Sequence, residues 1–198
     1  MTEEKKEFKK IPDNAKCVFK GVLHEVWQWE QEQFDGSFQT FECVRRRDGL
    51  TVLAITKDKK FIINFEEHPG YAEFITFPGG NIEEAQTAIL GAQRELLEET
   101  GYESDNWELW FRNDILNYRC MEWNNNIFIA RGCVKIQEPT VDPGEKIETH
   151  FLSFEEFLQI TQEDKFRNKE VAEIVRKILD DKSGVSKKEF ENFLLETE

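Results

Sequence analysis

The chain has 198 residues, of which 39% are hydrophobic, so it is long and apolar enough to form one domain with a sizeable core. It carries 40 acidic and 26 basic residues, a net charge of −14. This balance argues against a nucleic-acid partner, because nucleic-acid surfaces need clustered positive charge. An anionic substrate would need a metal ion to bridge it to so acidic a protein.

Targeting and redox features predict a cytoplasmic protein. The N-terminal stretch MTEEKKEFKKIPDN is charged and has no signal-peptide core, and no stretch offers the roughly 20 apolar residues of a spanning helix. The 4 cysteines form no CxxC pair, and with 3 isolated histidines they give no zinc signature. We expect buried, reduced thiols and no membrane partner.

The N-terminal region is predicted to be β-structure. Residues from Val22 to Trp29 alternate between two faces, and Asp35-Gly36 is a residue pair that a type I′ hairpin turn requires. We therefore predict an antiparallel hairpin over residues 17–46. This gives an N-terminal β-hairpin region at 1–46 and a main domain at 47–198.

Further strands and helices alternate in the main domain. A second hairpin, LTVLAITKDKKFIINFE, turns at Asp58–Lys60, and extended segments follow at EFITF, WELWFR, NNIFIARGCV and THFLSF. A helix is predicted over 88–100, between an N-cap at Thr87 and a left-handed Gly101. This order of elements predicts an α/β (α+β) sandwich.

The C-terminal third is predicted to be helical. Ser153 with Glu156, and Ser186 with Glu189, both match the capping-box pattern at a helix start. The segment NKEVAEIVRKILDD has apolar residues at helical spacing. We expect these helices to cover the sandwich or to extend a dimer.

The 88–100 helix carries an unfavourable group of acidic side chains. Glu95, Glu98 and Glu99 share one side of it, where such pairs repel by roughly 0.2–0.5 kcal/mol each and face the negative end of the helix dipole. Bound Mg²⁺ or Mn²⁺ would compensate this repulsion, since carboxylates are hard oxygen ligands. The alternative is a solvated acidic face. The opposite, core-facing side holds Ile89, Ala92, Leu96 and Leu97.

Neighbouring residues favour the metal-binding interpretation. The Gly79-Gly80 pair lets the backbone approach an ion or a phosphate closely. Gly91 is expected to leave the acidic side unobstructed. Arg94 lies at the margin of that side, where it can hold a carboxylate in orientation.

The segment from Gly80 to Tyr102 resembles the Nudix hydrolase signature, G-x5-E-x7-R-E-U-x-E-E-x-G-U, where U is apolar. Arg94-Glu95-Leu96 matches R-E-U and Glu98-Glu99 matches E-E, with the spacing kept throughout. Gln86 replaces the first glutamate, which in the family mainly pairs with the motif arginine. Gln86 could still accept a hydrogen bond from Arg94. The resemblance implies an α/β/α sandwich with a mixed sheet.

The resemblance also implies a reaction. Nudix hydrolases cleave a nucleoside diphosphate linked to another moiety, with water attacking phosphorus while Mg²⁺ ions neutralise the diphosphate. The implied ligands are Glu95, Glu98, Glu99 and a backbone carbonyl near Gly80. Mn²⁺ is an alternative cofactor.

The leading hairpin is similar in layout to that of ADP-ribose pyrophosphatases, which use it to dimerise and to complete the adenine pocket. Trp27 and Trp29 could stack on a base, or could instead pack a dimer interface. Arg46 could reach a phosphate, or could lie on a solvated face. The resemblance implies a homodimer that hydrolyses ADP-ribose or a related nucleoside-diphosphate sugar to a nucleoside monophosphate and a sugar phosphate.

A loop near the C-terminal strand supplies the candidate general base. In the ADP-ribose branch a glutamate of the corresponding loop takes this role, and here the loop reads VDPGEKIETH. We expect the base to be Glu145, with Asp142 and Glu148 as alternatives. A polar surface turn is the competing interpretation.

Two departures from the ADP-ribose branch keep other functions open. The branch usually carries an arginine shortly before the signature, where this chain offers only Glu67 and His68, and Leu116 replaces a usual proline. Tyr118 lies close to where diadenosine-polyphosphate hydrolases carry a tyrosine. The alternatives are therefore a diadenosine-polyphosphate or nucleoside-triphosphate pyrophosphohydrolase, and a non-catalytic nucleotide-binding module.

Overall fold

A computed structural model describes residues 11–114 and 121–196 of the chain. The strands are β1 (Lys16–Lys20), β2 (His24–Glu32), β3 (Phe38–Arg46), β4 (Gly49–Thr56), β5 (Phe61–Glu67), β6 (Phe74–Thr76), β7 (Gly79–Asn81), β8 (Tyr102–Glu103), β9 (Asn106–Asp114), β10 (Met121–Glu122), β11 (Asn124–Lys135) and β12 (Lys146–Leu152). The helices are α1 (Ala88–Thr100), α2 (Phe154–Ile160), α3 (Lys169–Leu179) and α4 (Val185–Leu195).

The chain divides into two compact units. The smaller unit is Met1–Asp48 with Asp114–Asn125, and the larger unit is Gly49–Asn113 with Asn126–Glu198. The smaller unit therefore includes a later segment of the chain, which the sequence pattern did not predict.

The smaller unit contains a four-stranded sheet in the order β1-β2-β3-β10. The predicted hairpin is present as β2 and β3, which pair antiparallel with Val26 opposite Val44. Its predicted type I′ turn is wrong, because that turn needs positive φ at two residues and only Gly36 has it (φ 82°). Instead, Gly36 N–H donates to Gln33 O (3.0 Å), and Asp35 Oδ1 accepts from the Ser37 hydroxyl (2.6 Å).

The larger unit contains a sheet in the order β12-β5-β4-β11-β8, with β6 beside β5, β7 beside β4 and β9 beside β11. The second predicted hairpin is present as β4 and β5, with Lys59 in the left-handed region at its tip (φ 62°). Every residue of β4 is buried, as expected for a strand covered on both faces.

Alternating side chains of β5 separate two apolar layers. Phe61 and Ile63 belong to a core cluster that includes buried residues of α2, α3 and α4. Ile62 belongs to a second cluster with Ala92 and Leu96 of α1. Helices therefore cover both faces of the sheet, and the predicted α/β sandwich is confirmed.

The ends of α1 are where the sequence predicted them. Thr87 Oγ1 accepts from Leu90 N–H at 3.4 Å, and Gly101, with φ 76°, donates its N–H to Leu97 O. The core-facing side is predicted correctly except at Leu97, which is half-buried and belongs to neither cluster. Its remaining members pack in the second cluster: Ile89, Ala92 and Leu96.

One of the two predicted capping boxes is wrong. The box at α2 is present, with Ser153 and Glu156 bonded reciprocally. At α4 the helix starts at Val185 after Gly184, so Ser186 is already inside it. Ser186 N–H donates to Asp181 Oδ2 at 3.0 Å, so an upstream aspartate takes the acceptor role expected of a capping side chain.

The cysteines differ in exposure. Cys43 and Cys133 are buried, as expected, but Cys17 is exposed because it lies on β1, an edge strand whose residues are all exposed. Cys120 lies outside the described residues, as do Leu116 and Tyr118. Within residues 11–114 and 121–196, no helix is long and apolar enough to cross a membrane.

Candidate active site

The acidic side of α1 is buried at Glu99, whereas the Glu98 side chain remains 43% exposed. Glu99 is only 7% exposed, and Gly91 is buried together with the core residues Ala92 and Leu96. A Cβ atom at Gly91 would lie 2.7 Å from Leu50 Cδ2. The expectation that Gly91 leaves this side open is therefore wrong; its lack of a side chain lets α1 pack closely on β4.

Glu99 is held by residues of two strands. Asn64 Nδ2 donates to Glu99 Oε2 at 2.8 Å, and Gly79 N–H donates to the same oxygen at 3.3 Å. Thr149 Oγ1 donates to Asn64 Oδ1 at 3.1 Å, which keeps the amide nitrogen of Asn64 turned towards the carboxylate. A three-residue network from β5, β12 and α1 thus fixes this acid.

The acids around Glu99 are poorly compensated. Burial raises the pKa of Glu99 well above its usual range, and the charges of Glu66, Glu95 and Glu145 raise it further. Burial also raises the pKa of Glu66, opposed by His68. The pKa of Glu95 is raised by burial too. Such a group of acids is the environment in which a bound cation would relieve both burial and repulsion.

Arg94 holds the two other signature glutamates. Its Nη2 donates to Glu95 Oε1 at 2.8 Å and its Nη1 to Glu98 Oε2 at 2.7 Å. The expected bond to Gln86 is not among its contacts: Gln86 Oε1 accepts from Glu83 N–H at 3.2 Å, and the buried Nε of Arg94 has no partner among the described residues. Arg94 therefore orients carboxylates, as predicted, without support from Gln86.

The glycine pair lets β7 approach both α1 and β4. Gly80 pairs with Leu50 and Gly79 with Thr51. A Cβ atom at Gly80 would lie 2.6 Å from Glu95 Cδ, and one at Gly79 would overlap the carbonyl of Leu50. A side chain at position 79 would require the backbone to shift, and one at position 80 would displace the Glu95 carboxylate, which lies beside the Gly80 backbone.

The loop before β12 brings Glu145 towards this cluster. Glu145 N–H donates to Asp142 O at 2.9 Å, which closes the turn. Glu145 Oε1 lies 4.0 Å from His68 Nδ1, and His68 Nε2 lies 3.3 Å from Glu66 Oε2. His68 therefore stands between the candidate base and the buried acids.

Glu148 lies on the other face of the sheet. In the β12–β5 register Glu148 pairs with Phe65, whereas Asn64 and Glu66 project to the face that α1 covers. Glu148 is largely exposed and pairs with His150 Nε2 at 3.0 Å. Strand geometry thus separates Glu148 from the acids around Glu99.

A family model of the NUDIX domain matches residues 43–174, two thirds of the chain. The chain belongs to the Nudix family. This match agrees with the signature geometry on α1 and β7, and it confirms the prediction of a Nudix pyrophosphohydrolase.

Two known proteins are similar to this Nudix chain. The methanol dehydrogenase activator of Bacillus methanolicus is 27% identical over 149 residues, covering 74% of this chain and 80% of that protein. A crystal structure of an ADP compounds hydrolase superposes with a TM-score of 0.61 at 20% identity, covering 87% of this chain and 95% of that one. At this identity the superposition shows a shared fold.

The signature carboxylates suit a divalent cation chemically. Among the residues the structure describes, no three His, Cys, Asp or Glu side chains already converge in metal-binding geometry. Arg94 attracts Glu95 and Glu98, while Asn64 holds Glu99. The donor set is nevertheless carboxylate oxygen, which suits Mg²⁺ and Mn²⁺, and Nudix hydrolases generally use divalent metals.

The predicted base-binding residues lie in the smaller unit. Trp27 packs under the guanidinium of Arg45 at 4.8 Å, and Arg46 lies over the ring of Trp123 at 4.7 Å. Trp29 Nε1 donates to Gln31 Oε1 at 3.1 Å within its own strand. The substrate-binding role of Trp27, Trp29 and Arg46 stays a prediction.

Sequence reasoning missed three residues around the predicted site, and it gave a fourth, His68, no role there. Asn64 and Glu66 on β5 surround Glu99, and Thr149 supports Asn64. A usable signal was present, because Asn64 interrupts the otherwise apolar run FIINF. His68 was noted only as a substitute for a missing arginine, and its position between Glu66 and Glu145 needed the fold.

Proposed function

We propose that this Nudix protein hydrolyses the diphosphate bond of ADP-ribose or a related nucleoside-diphosphate sugar in a Mg²⁺-dependent reaction. The products would be a nucleoside monophosphate and a sugar phosphate. The observation that carries the proposal is the buried signature acid Glu99 with Glu95 and Glu66 beside it, because their mutual repulsion calls for cations that a diphosphate can also bind. The fold shared with an ADP compounds hydrolase supports the substrate class.

Each residue then has a defined role. Glu95, Glu98, Glu99 and the Gly80 carbonyl would hold Mg²⁺, which neutralises the diphosphate charge. Arg94 orients Glu95 and Glu98 through its two terminal nitrogens.

Glu145 would accept a proton from the attacking water. Its loop position and its proximity to His68 support this role, since a general base needs access to the water and an aligned carboxylate. Asp142, the alternative, contributes its backbone carbonyl to the turn that presents Glu145.

The proposal includes a cytoplasmic homodimer built through the smaller unit. Large apolar side chains are exposed on its sheet and loops, and such surface often marks a protein interface. They are Val18, Phe19, Val22, Leu23, Phe34, Phe38 and Phe41. In this arrangement Trp27 and Trp29 would contact the adenine base or the second protomer. Light scattering would give the mass in solution.

The decisive experiment is turnover of a nucleotide panel with product identification. We expect Mg²⁺-dependent release of AMP and ribose 5-phosphate from ADP-ribose, and a fall of at least about a hundredfold in Glu99→Gln, since a metal ligand contributes several kcal/mol of charge stabilisation. Glu189→Gln, an exposed substitution on α4, is the matched control. Equal rates in wild type and Glu99→Gln would refute the catalytic assignment.

The same panel separates the alternatives. Cleavage of diadenosine tetraphosphate with ADP-ribose left intact would favour a diadenosine-polyphosphate hydrolase, and cleavage of nucleoside triphosphates would favour that class. Nucleotide binding without turnover would favour a non-catalytic module. The relative named as an activator of methanol dehydrogenase supports keeping this last alternative.

A further inference from the structure

Arg167, in the connection between α2 and α3, is fixed to the sheet by backbone contacts. Ile75 N–H donates to Lys165 O at 2.9 Å, and Arg167 N–H donates to Ile75 O at 2.8 Å. Phe166, between them, forms a parallel bridge with Ile75 and is fully buried in the core cluster of α2, α3 and α4. The backbone at Arg167 is therefore held as an added edge of the sheet.

The side chain of Arg167 lies on the face that carries the acidic cluster. Because side chains alternate along extended backbone, Arg167 projects away from the face occupied by Phe166. The β5–β6 register pairs Phe74 with Glu66, so both project to the same face. Arg167 Cζ lies 3.4 Å from the centroid of the Phe74 ring, which places the guanidinium on the Glu66 face.

The next residue supports this placement. Asn168 Oδ1 accepts from Thr76 Oγ1 at 3.0 Å. Thr76 pairs with Asn64, the residue whose amide holds Glu99. Arg167 and Asn168 thus contact two β6 side chains, Phe74 and Thr76, whose partners on β5 are Glu66 and Asn64.

The guanidinium of Arg167 is exposed and positioned by aromatic rings. Besides Phe74, it lies 5.7 Å from the ring centroid of Tyr71. Arg167 makes no salt bridge within residues 11–114 and 121–196, whereas its neighbour Lys165 pairs with Glu73 at 2.8 Å. An arginine stacked on an aromatic ring loses little further freedom when its planar group of donors meets a phosphate.

We propose that Arg167 binds a phosphate group of the substrate diphosphate. A diphosphate approaching the acidic cluster needs positive charge, and Arg167 supplies it from the chain itself, on the same face as Glu66. This inference rests on the proposed function in one respect, that the substrate contains a diphosphate. It does not depend on which moiety the diphosphate carries.

The test measures affinity for inorganic pyrophosphate with Mg²⁺ by calorimetry, beside ADP-ribose turnover. Arg167→Met keeps an apolar side chain over Phe74 and removes the charge; we expect about tenfold weaker pyrophosphate binding, with an unchanged unfolding midpoint. Arg167→Lys keeps the charge without the planar donor group, so its pyrophosphate affinity should lie between those of wild type and Arg167→Met. Lys177→Met is the control for lost charge, because Lys177 lies on the surface of α3, where it pairs with Glu173 at 3.2 Å. This variant should bind pyrophosphate as wild type does.

The outcomes distinguish this inference from the proposed function. Equal pyrophosphate affinity in wild type and Arg167→Met, or a wild type that binds no pyrophosphate, overturns the role of Arg167 even if ADP-ribose is cleaved. Equal weakening in Lys177→Met overturns it too, because the effect would then reflect net charge. Pyrophosphate binding that depends on Arg167, in a protein that leaves ADP-ribose intact, supports the inference and refutes the substrate class.

Discussion

Glu99→Gln should make the metal-free protein more stable while abolishing its activity. Both bonds to Glu99, from Asn64 Nδ2 and Gly79 N–H, end on the single oxygen Oε2. A glutamine oxygen in that place accepts both. The substitution therefore keeps the hydrogen bonds and removes only the buried negative charge.

The magnitude follows from the raised pKa of Glu99. Each unit by which folding raises the pKa of a carboxyl group lowers the free energy of unfolding by about 1.4 kcal/mol, at a pH where the group is ionised in the unfolded state. The new amide N–H₂ group offsets part of this gain, by about 1–3 kcal/mol if it finds no partner. The pKa is raised well above 4.5, by burial first and then by Glu66 and Glu95. We expect a net gain on the order of 1 kcal/mol at neutral pH, or a few degrees in Tm.

The pH dependence of stability should show that ionised Glu99 destabilises the folded state. Below pH 4.5 both folded and unfolded Glu99 are protonated, so the residue has no effect on stability. Above that pH the unfolded state ionises first, and wild type loses stability until the pH passes the folded pKa. In Glu99→Gln this loss should be reduced.

The assay is urea unfolding of metal-free wild type, Glu99→Gln and the control Glu189→Gln between pH 4 and pH 8. The reasoning is refuted if Glu99→Gln is less stable than wild type at pH 7, or if its stability falls with pH as steeply as that of wild type. Glu189→Gln should follow wild type, since its side chain is exposed.

Three further predictions concern the same site. Gly80→Ala should lower kcat at least about tenfold, because the added Cβ would lie 2.6 Å from Glu95 Cδ and displace that carboxylate. An unchanged kcat would contradict this packing. In steady-state kinetics, Glu145→Gln should lower kcat about a hundredfold, whereas Glu148→Gln, on the other face of the sheet, should change kcat by no more than about twofold. The reverse order would identify a different base. In calorimetry of chelator-treated protein, added Mg²⁺ should raise the Tm of wild type much more than that of Glu99→Gln. Equal Tm shifts in the two proteins would place the metal elsewhere.

Local signals predicted most secondary structure correctly. The helix α1 was bounded by Thr87 and Gly101 because a cap and a left-handed glycine act on backbone groups within a few residues. The error at a helix start arose where two nearby side chains could each accept the same kind of backbone hydrogen bond. At α4, Asp181 offers the Ser186 N–H an acceptor, so the helix begins before the predicted cap.

The candidate site was only partly predictable. The signature places Arg94 and Glu98 four residues apart, so the bond between them follows from helical spacing, whereas the bond from Arg94 to the adjacent Glu95 does not. It did not reveal that Glu99 is buried, since burial depends on what the helix packs against. The position of Arg167 over Phe74 was equally hidden, because the two residues are far apart in the chain.

The sequence by itself determined the family signature, the helix that carries its acids and the glycines that let other groups approach them. Only the tertiary structure decided which residues complete the site. Asn64 lies 35 positions from Glu99, and Thr149 lies 85 positions from Asn64. Contacts over such separations depend on strand order and register, where a shift of one residue turns every side chain to the other face.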